Sequence, residues 1–139
     1  MGDVGQISII VFSGTFDRIH FALATASAAA ATNISASLFF TMGAISALSQ
    51  DQGWTTLKHS EKEGYGSHWD HHNKVKGIAS FEELLEACVS LEVKFFVCEM
   101  GMRSVGLESS RLRTDVPIQK GGLVTFLADV GTDGKVLFI

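Results

Sequence analysis

Short apolar runs alternate with segments of helical spacing along most of this chain. Buried strands are predicted at Gln6 to Ser13, at Ser35 to Thr41 and at the run that ends in Cys98, because β-branched and aromatic residues cluster there. Two further strands are predicted at the apolar segments Val116 to Ile118 and Lys135 to Ile139. The pattern therefore predicts five strands.

Helical patterns lie between these runs. Arg18 to Thr32 is rich in alanine, the best helix former. Ser80 to Glu92 repeats its apolar residues at helical spacing, and Ser80 and Glu83 have the spacing of a capping box. Further helices are predicted at 42–48, 99–107 and 123–130.

Strands that alternate with helices are typical of parallel sheets joined by right-handed crossovers. We therefore predict an α/β, flavodoxin-like fold, with a single five-stranded, mostly parallel sheet and helices on both faces. If the strand order is the common 2-1-3-4-5, the topological switch point lies between the first strand and the strand that ends at Cys98.

The length and composition fit one domain, covering residues 1–139, because 139 residues with 46% hydrophobic content can bury a single core. The segment at about 49–77 departs from the pattern. It is polar and rich in histidine, and its apolar residues show no sustained period. We predict a long loop there, which is typical of function or mobility.

Charge and hydropathy exclude several classes of protein. A net charge of −4 with 11 Lys and Arg argues against a nucleic-acid partner. The low-charge stretch 19–48 divides into a helix and a strand, and neither could span a bilayer of about 30 Å. The amino terminus shows no secretory signal, and two cysteines are too few for a disulfide framework, so we expect a cytoplasmic, reducing location.

Cys98 is the main candidate for chemistry. It ends a predicted strand directly before a predicted helix, where ligands bind in open α/β sheets and where helix amides lower a thiol pKa. The acidic Glu99 beside it acts in the opposite direction. Cys88 lies on the apolar stripe of its helix and is interpreted as core packing. The predicted positions of the two thiols are too far apart for a disulfide.

Other residues are candidates for binding an anionic sulfur group. Ser13, Gly14 and Thr15 follow the first strand, and they would share a crevice with Cys98 if the switch point lies as predicted. Their other interpretation is helix capping. Gly101 would let backbone approach a ligand, and Arg103 would supply positive charge or be a solvated surface residue.

Three other functions remain open. The first is a metal-binding module, since His68, His71 and His72 lie close enough in sequence to coordinate zinc, nickel or copper. A second is a flavin or nucleotide binder, although the chain lacks the glycine-rich phosphate-binding patterns. The last is a scaffolding subunit that uses its alanine-rich helix and loop aromatics at interfaces.

Three segments together resemble the DsrE/DsrF-like family of small sulfur-relay proteins, and the resemblance covers most of the chain. They are 80–93, Phe95 to Met102 with its Cys-Glu-Met-Gly-Met run, and Gly121 to Leu127. In that family a cysteine after the third strand receives sulfane sulfur and passes it to a partner such as a TusA-like carrier. Cys98 matches that position.

The resemblance implies a sulfur carrier or sulfurtransferase with a cytoplasmic location and no cofactor. It also implies a small sulfane sulfur donor, a TusA-like carrier or other sulfurtransferase as partner, and a homo-oligomer, commonly a trimer, tetramer or hexamer. The histidine-rich stretch at 49–77 departs from the family's pattern.

Overall fold

The computed structural model describes residues 5–139, which contain five strands and, besides the predicted helices, one helix at Gly66–Val75 that was not predicted. The strands are β1 (Gln6–Val11), β2 (Ser35–Phe40), β3 (Lys94–Cys98), β4 (Ile118–Gly121) and β5 (Lys135–Phe138). The α-helices are α1 (Phe16–Ala31), α2 (Gly66–Val75), α3 (Phe81–Ser90), α4 (Glu99–Val105) and α5 (Leu123–Val130). Short 3₁₀ segments occur at Met42–Leu48, Gly53–Thr56 and Ser109–Arg111.

All five strands belong to one parallel sheet, which confirms the predicted fold class. The strand order is β4-β3-β2-β1-β5, so the order 2-1-3-4-5 is wrong for this chain. The strand β2 separates β1 from β3, and the switch point lies between β1 and β5 instead. Each of the first three crossovers joins neighbouring strands, and only the last one returns across the sheet.

The direction of these crossovers decides which face each helix covers. Right-handed connections that run one way across a sheet leave their helices on one face, and the returning connection leaves its helix on the other. Helices α1 and α3 accordingly pack on one face, over Ile9, Leu38 and Phe95. Helix α5 packs on the opposite face, where Phe126 stacks on Phe39 with ring centroids 4.6 Å apart. We call this second side of the sheet the α5 face.

The two faces of the sheet bury different numbers of apolar residues. The α1/α3 face carries the main hydrophobic core, which continues into the 3₁₀ segment 42–48. The α5 face has only a small cluster of buried apolar residues, namely Phe39, Cys98 and Phe126. Because side chains alternate along a strand, Cys98 lies on the same face as Phe96 and opposite Val97.

The segment at about 49–77 is more ordered than predicted, because it contains a 3₁₀ turn and the whole of α2. Its order comes from single long-range contacts rather than from an apolar period. Trp54 stacks on Phe81 with centroids 4.8 Å apart. The buried Asp70 accepts a hydrogen bond from the Phe81 backbone N–H at 2.7 Å. Trp69 Nε1 donates to the Glu63 carbonyl at 2.8 Å.

The predicted start of α3 is confirmed in detail. Ser80 accepts a hydrogen bond from the Glu83 N–H at 3.2 Å, and the Glu83 carboxylate accepts one from the Ser80 N–H at 2.8 Å. This reciprocal capping box satisfies two amides that a helix start leaves without partners. Among residues 5–139, none of the helices combines the length and the apolar character needed to cross a membrane.

Candidate functional site

Cys98 is the last residue of β3 and the N-cap of α4, as the sequence predicted. Its sulfur accepts a hydrogen bond from the Gly101 N–H, with a donor–acceptor distance of 3.4 Å. An amide N–H donor in this position stabilises negative charge that develops on the sulfur during a reaction. The residue is only 2% exposed and belongs to the cluster with Phe39 and Phe126.

Gly101 lets α4 approach the turn that follows β2. A Cβ at this position would lie 2.7 Å from the Met42 backbone nitrogen and 2.9 Å from Ile45 Cδ1. No side chain fits at these distances, so the close approach of the two backbones requires glycine. This approach also sets the position of the N–H that bonds to the Cys98 sulfur.

Thr41 is a residue of this site that sequence reasoning missed. It follows Phe40, the register partner of Val97, so it stands level with Cys98 and on the same face of the sheet. Its side chain is buried, at 7% exposure. A Cβ on Gly101 would lie 3.0 Å from Thr41 Oγ1. The only sequence signal was a polar residue directly after a buried strand.

The structure does not place Ser13, Gly14 and Thr15 beside Cys98. They follow β1, and the turn after β2 lies between them and the thiol because β2 separates the two strands. A Cβ on Gly14 would lie 3.0 Å from the Gly43 carbonyl, and the hydroxyls of Ser13 and Thr15 bond to each other at 2.7 Å. The expected shared crevice between neighbouring strands is therefore wrong, and a binding role for these three residues stays a prediction.

Arg103 is exposed on α4 and lines a cavity of about 530 Å³ together with Glu99, Met102 and Lys120. Lys120 is the register partner of Val97, which lies on the opposite face from Cys98. The cavity thus adjoins the strand end but opens on the other side of the sheet from the thiol. Direct contact between Arg103 and a group held on Cys98 stays a prediction.

Cys88 has the packing role that its position predicted. It is fully buried on α3, and its thiol donates to the Leu23 carbonyl at 3.4 Å. Burial raises the pKa of the Cys88 thiol to about 12. Both cysteines are free thiols. Because the thiolate is the nucleophile, the raised pKa of Cys88 disfavours reaction there, and Cys98 is the remaining candidate.

The histidines predicted as possible metal ligands lie on α2, where His68 and His72 are one turn apart. Trp69 stands between them, with its ring centroid 4.9 Å from His68 and 5.1 Å from His72. Within residues 5–139, no group of three or more His, Cys, Asp or Glu side chains is placed to hold a metal ion. The two rings pack against an indole instead of converging.

Comparison with known proteins agrees with this architecture. The model of the DsrE/DsrF-like family matches residues 6–137, which is nearly the whole chain. This chain belongs to the DsrE/DsrF-like family. The resemblance seen in the sequence is thereby confirmed.

Among solved structures, the DsrE/DsrF-like chain is similar to the YchN protein from E. coli, with a TM-score of 0.62 and 18% sequence identity. The match covers 97% of this chain and 99% of that one, and it shows a shared fold. No curated protein sequence matches the chain.

Proposed function

We propose that this DsrE/DsrF-like protein is a sulfur carrier, acting as a sulfurtransferase, that holds sulfane sulfur on Cys98 as a persulfide or thiosulfonate. The observation that carries the proposal is the Cys98 sulfur at the end of β3, with the Gly101 N–H donating to it at 3.4 Å. Family membership supports the same chemistry. Cys88 is buried and its pKa is raised, which leaves one thiol for the task.

The proposed transfer has two steps. The Cys98 thiolate attacks the sulfane sulfur of a small donor, a new S–S bond forms, and the donor's old bond breaks with its electron pair leaving on the departing group. A partner's thiolate then attacks the outer sulfur, and the Cys98 thiolate is regenerated. In both steps the Gly101 N–H is placed to stabilise negative charge on the Cys98 sulfur.

The burial of Cys98 adds one requirement to this scheme. At 2% exposure, the sulfur cannot meet a donor until a neighbouring group moves. Helix α5 is the element on the thiol's side of the sheet, and its Phe126 belongs to the cluster that contains Cys98. We infer that α5 shifts when sulfur enters or leaves.

The proposed acceptor is the thiol of a TusA-like carrier or another sulfurtransferase, and the proposed location is the cytoplasm. Both cysteines of the chain are free thiols, which suits a reducing compartment. A relay by thiol exchange also needs its thiol reduced before each cycle. No cofactor enters either step of the proposed reaction.

We also propose that the protein is a homo-oligomer. Large apolar side chains are exposed along the β5 edge of the α5 face and on α5 itself, a set we call the apolar rim. It consists of Phe12, Leu123, Val124, Leu127, Val136 and Phe138. Phe12 and Phe138 stack with centroids 5.5 Å apart, and Val124 is 84% exposed. Exposed apolar patches of this kind mark interaction sites, and a second copy is the proposed occupant.

Intact mass after treatment with polysulfide, thiosulfate or tetrathionate tests the carrier function. We expect a reducible sulfur adduct on the wild type and on Cys88→Ser, and none on Cys98→Ser. The Cys88→Ser variant is the matched control, since it removes the other thiol. Incubation of the loaded protein with a TusA-like carrier should move the adduct to that carrier.

Two outcomes would contradict the proposal. A folded wild-type protein that takes up no sulfur from any of the three donors is not a carrier. An adduct that survives in Cys98→Ser and disappears in Cys88→Ser would show that sulfur binds to Cys88 and not to Cys98. Circular dichroism of each variant establishes that a lost adduct does not reflect a lost fold.

A further inference from the structure

A row of polar side chains crosses the α5 face near the amino ends of the strands. Ser8 on β1, Ser37 on β2 and Lys94 on β3 are register partners, so their side chains stand next to one another, about 4.8 Å apart from strand to strand. Ser8 is 2% exposed and Ser37 is 6% exposed. Each of these two side chains carries a hydroxyl group that can donate and accept a hydrogen bond.

These hydroxyls line a cavity of about 360 Å³ between the sheet and α5. Its other lining residues are Gln6, Ser35, Phe96, Phe126 and Asp129. Lys94 lies four positions before Cys98 on β3, which is about 13 Å along a strand, so the charged end of the cavity lies away from the thiol. Its volume lies in the range of small-molecule sites, roughly 300–1,000 Å³.

The charges of the cavity indicate what kind of molecule fits it. Lys94 lies on the sheet side and Asp129 on the α5 side, and neither forms an ion pair within residues 5–139. The lining therefore has one positive and one negative charge, which do not neutralise each other by contact. A ligand with a net charge would meet one favourable and one unfavourable group, whereas a zwitterion would satisfy both.

We propose that this cavity binds a small zwitterion of the free amino-acid type. Its carboxylate lies against Lys94 and the hydroxyls of Ser8 and Ser37, and its ammonium group lies against Asp129. Phe96 and Phe126 form the apolar end of the cavity and limit the ligand to a small side chain. The polar contacts of the ligand do not include Cys98, although Phe126 both lines the cavity and covers the thiol.

Titration calorimetry of the full-length protein with L-serine tests the proposal, with acetate and methylammonium as probes for each half of the ligand. We expect saturable binding of L-serine and affinities at least about tenfold lower for the two half-ligands, because each leaves one charge of the cavity unpaired. Lys94→Met and Asp129→Asn should each weaken L-serine binding at least about tenfold. Lys76→Met removes an exposed lysine on another part of the surface and should leave binding unchanged.

Three results would overturn the proposal. The first is the absence of saturable binding for L-serine, glycine and L-alanine. If L-serine and acetate bind equally well, the cavity is an anion site in which Asp129 does not recognise an ammonium group. Folded Lys94→Met protein with a changed oligomeric state and unchanged L-serine affinity would show that the cavity is part of an interface between copies.

Discussion

The Gly101 N–H donates a hydrogen bond to the Cys98 sulfur at 3.4 Å, across the first turn of α4. This contact depends on a second one, because Gly101 also lies against the backbone of Met42 with no room for a Cβ. The thiol environment is thus set by how closely α4 approaches the turn after β2. A substitution at Gly101 would change the sulfur site without touching the sulfur.

Gly101→Ala is expected to lower both stability and sulfur loading. The added Cβ would lie 2.7 Å from Met42 N, so α4 must move, at a cost of about 1–3 kcal/mol. The free energy of unfolding from urea denaturation and the rate of sulfur uptake on Cys98 measure the two effects. Gly5→Ala is the matched control, since a Cβ there would meet only Ile34 Cγ2, at the ordinary contact distance of 4.0 Å. Equal behaviour of the two variants would contradict the packing argument.

Phe126→Ala is expected to make Cys98 more accessible. Phe126 is 4% exposed and shares a cluster with the thiol, so its truncation opens the cover on the α5 face. Alkylation of Cys98 by iodoacetamide should accelerate at least about tenfold, because local opening of the cover over the thiol then costs less free energy. Val124→Ala alters the same helix at a side chain that is 84% exposed and should leave the rate unchanged. An unchanged rate in folded Phe126→Ala would show that α5 does not limit access.

Stability should fall in acid partly because of an ion-pair network around Arg113. The Arg113 guanidinium bonds both carboxylate oxygens of Glu82 at 2.7 Å, and Trp54 Nε1 donates to the same carboxylate at 2.6 Å. Bonding to Arg113 holds the pKa of Glu82 and that of Asp115 below their ordinary values. A carboxyl with a lowered folded pKa contributes stability above its unfolded pKa, and that stability is lost as the pH falls through the folded pKa.

Arg113→Met is accordingly expected to destabilise the protein at neutral pH and to lose less stability than the wild type on acidification to about pH 3. Urea denaturation at several pH values in this range measures how steeply the free energy of unfolding falls with pH in each protein. Arg111→Met serves as the control, because the Arg111–Asp51 pair is exposed and 3.8 Å long, and such pairs contribute about 0–1 kcal/mol. Parallel acid profiles for wild type and Arg113→Met would show that the network does not set the acid sensitivity.

Phe138→Glu should shift the proposed oligomer toward smaller species. Phe138 is 68% exposed at the edge strand β5 and stacks on Phe12, so a carboxylate there would be buried without a partner on association. Sedimentation velocity measures the change. Val75→Glu replaces an apolar residue that is 73% exposed on α2, away from the apolar rim, and should have no effect. A wild-type protein that sediments as a monomer would refute the oligomer itself.

Much of this protein was predictable from short-range patterns. The run of apolar residues before Cys98 predicted a strand, and the thiol lies at its end. The spacing of Ser80 and Glu83 predicted a capping box, which is present. The alanine-rich segment forms α1, with its start two residues before the predicted Arg18. These features depend on neighbours a few residues apart, which a single sequence displays.

The helix α2 was missed because its order comes from distant residues. Its mean hydropathy is low and it has no apolar period, so nothing local distinguishes it from a loop. Contacts of Trp69 with His59 and of Asp70 with the start of α3 hold it in place. The same contacts turn His68 and His72 onto an indole ring and away from a common metal site.

The sequence by itself determined the strands, the helices other than α2, the α/β class, the family resemblance and the distinction between a packed Cys88 and a strand-end Cys98. Only the tertiary structure decided that β2 lies between β1 and β3, that Ser13 and Gly14 stand away from the thiol, and that Thr41 stands beside it. Strand order is a competition among alternative parallel pairings, whose hydrogen bonds are made by backbone groups common to all residues. The choice among these pairings depends on how much apolar surface α1, α3 and α5 bury together, and no local pattern in the sequence encodes that combined burial.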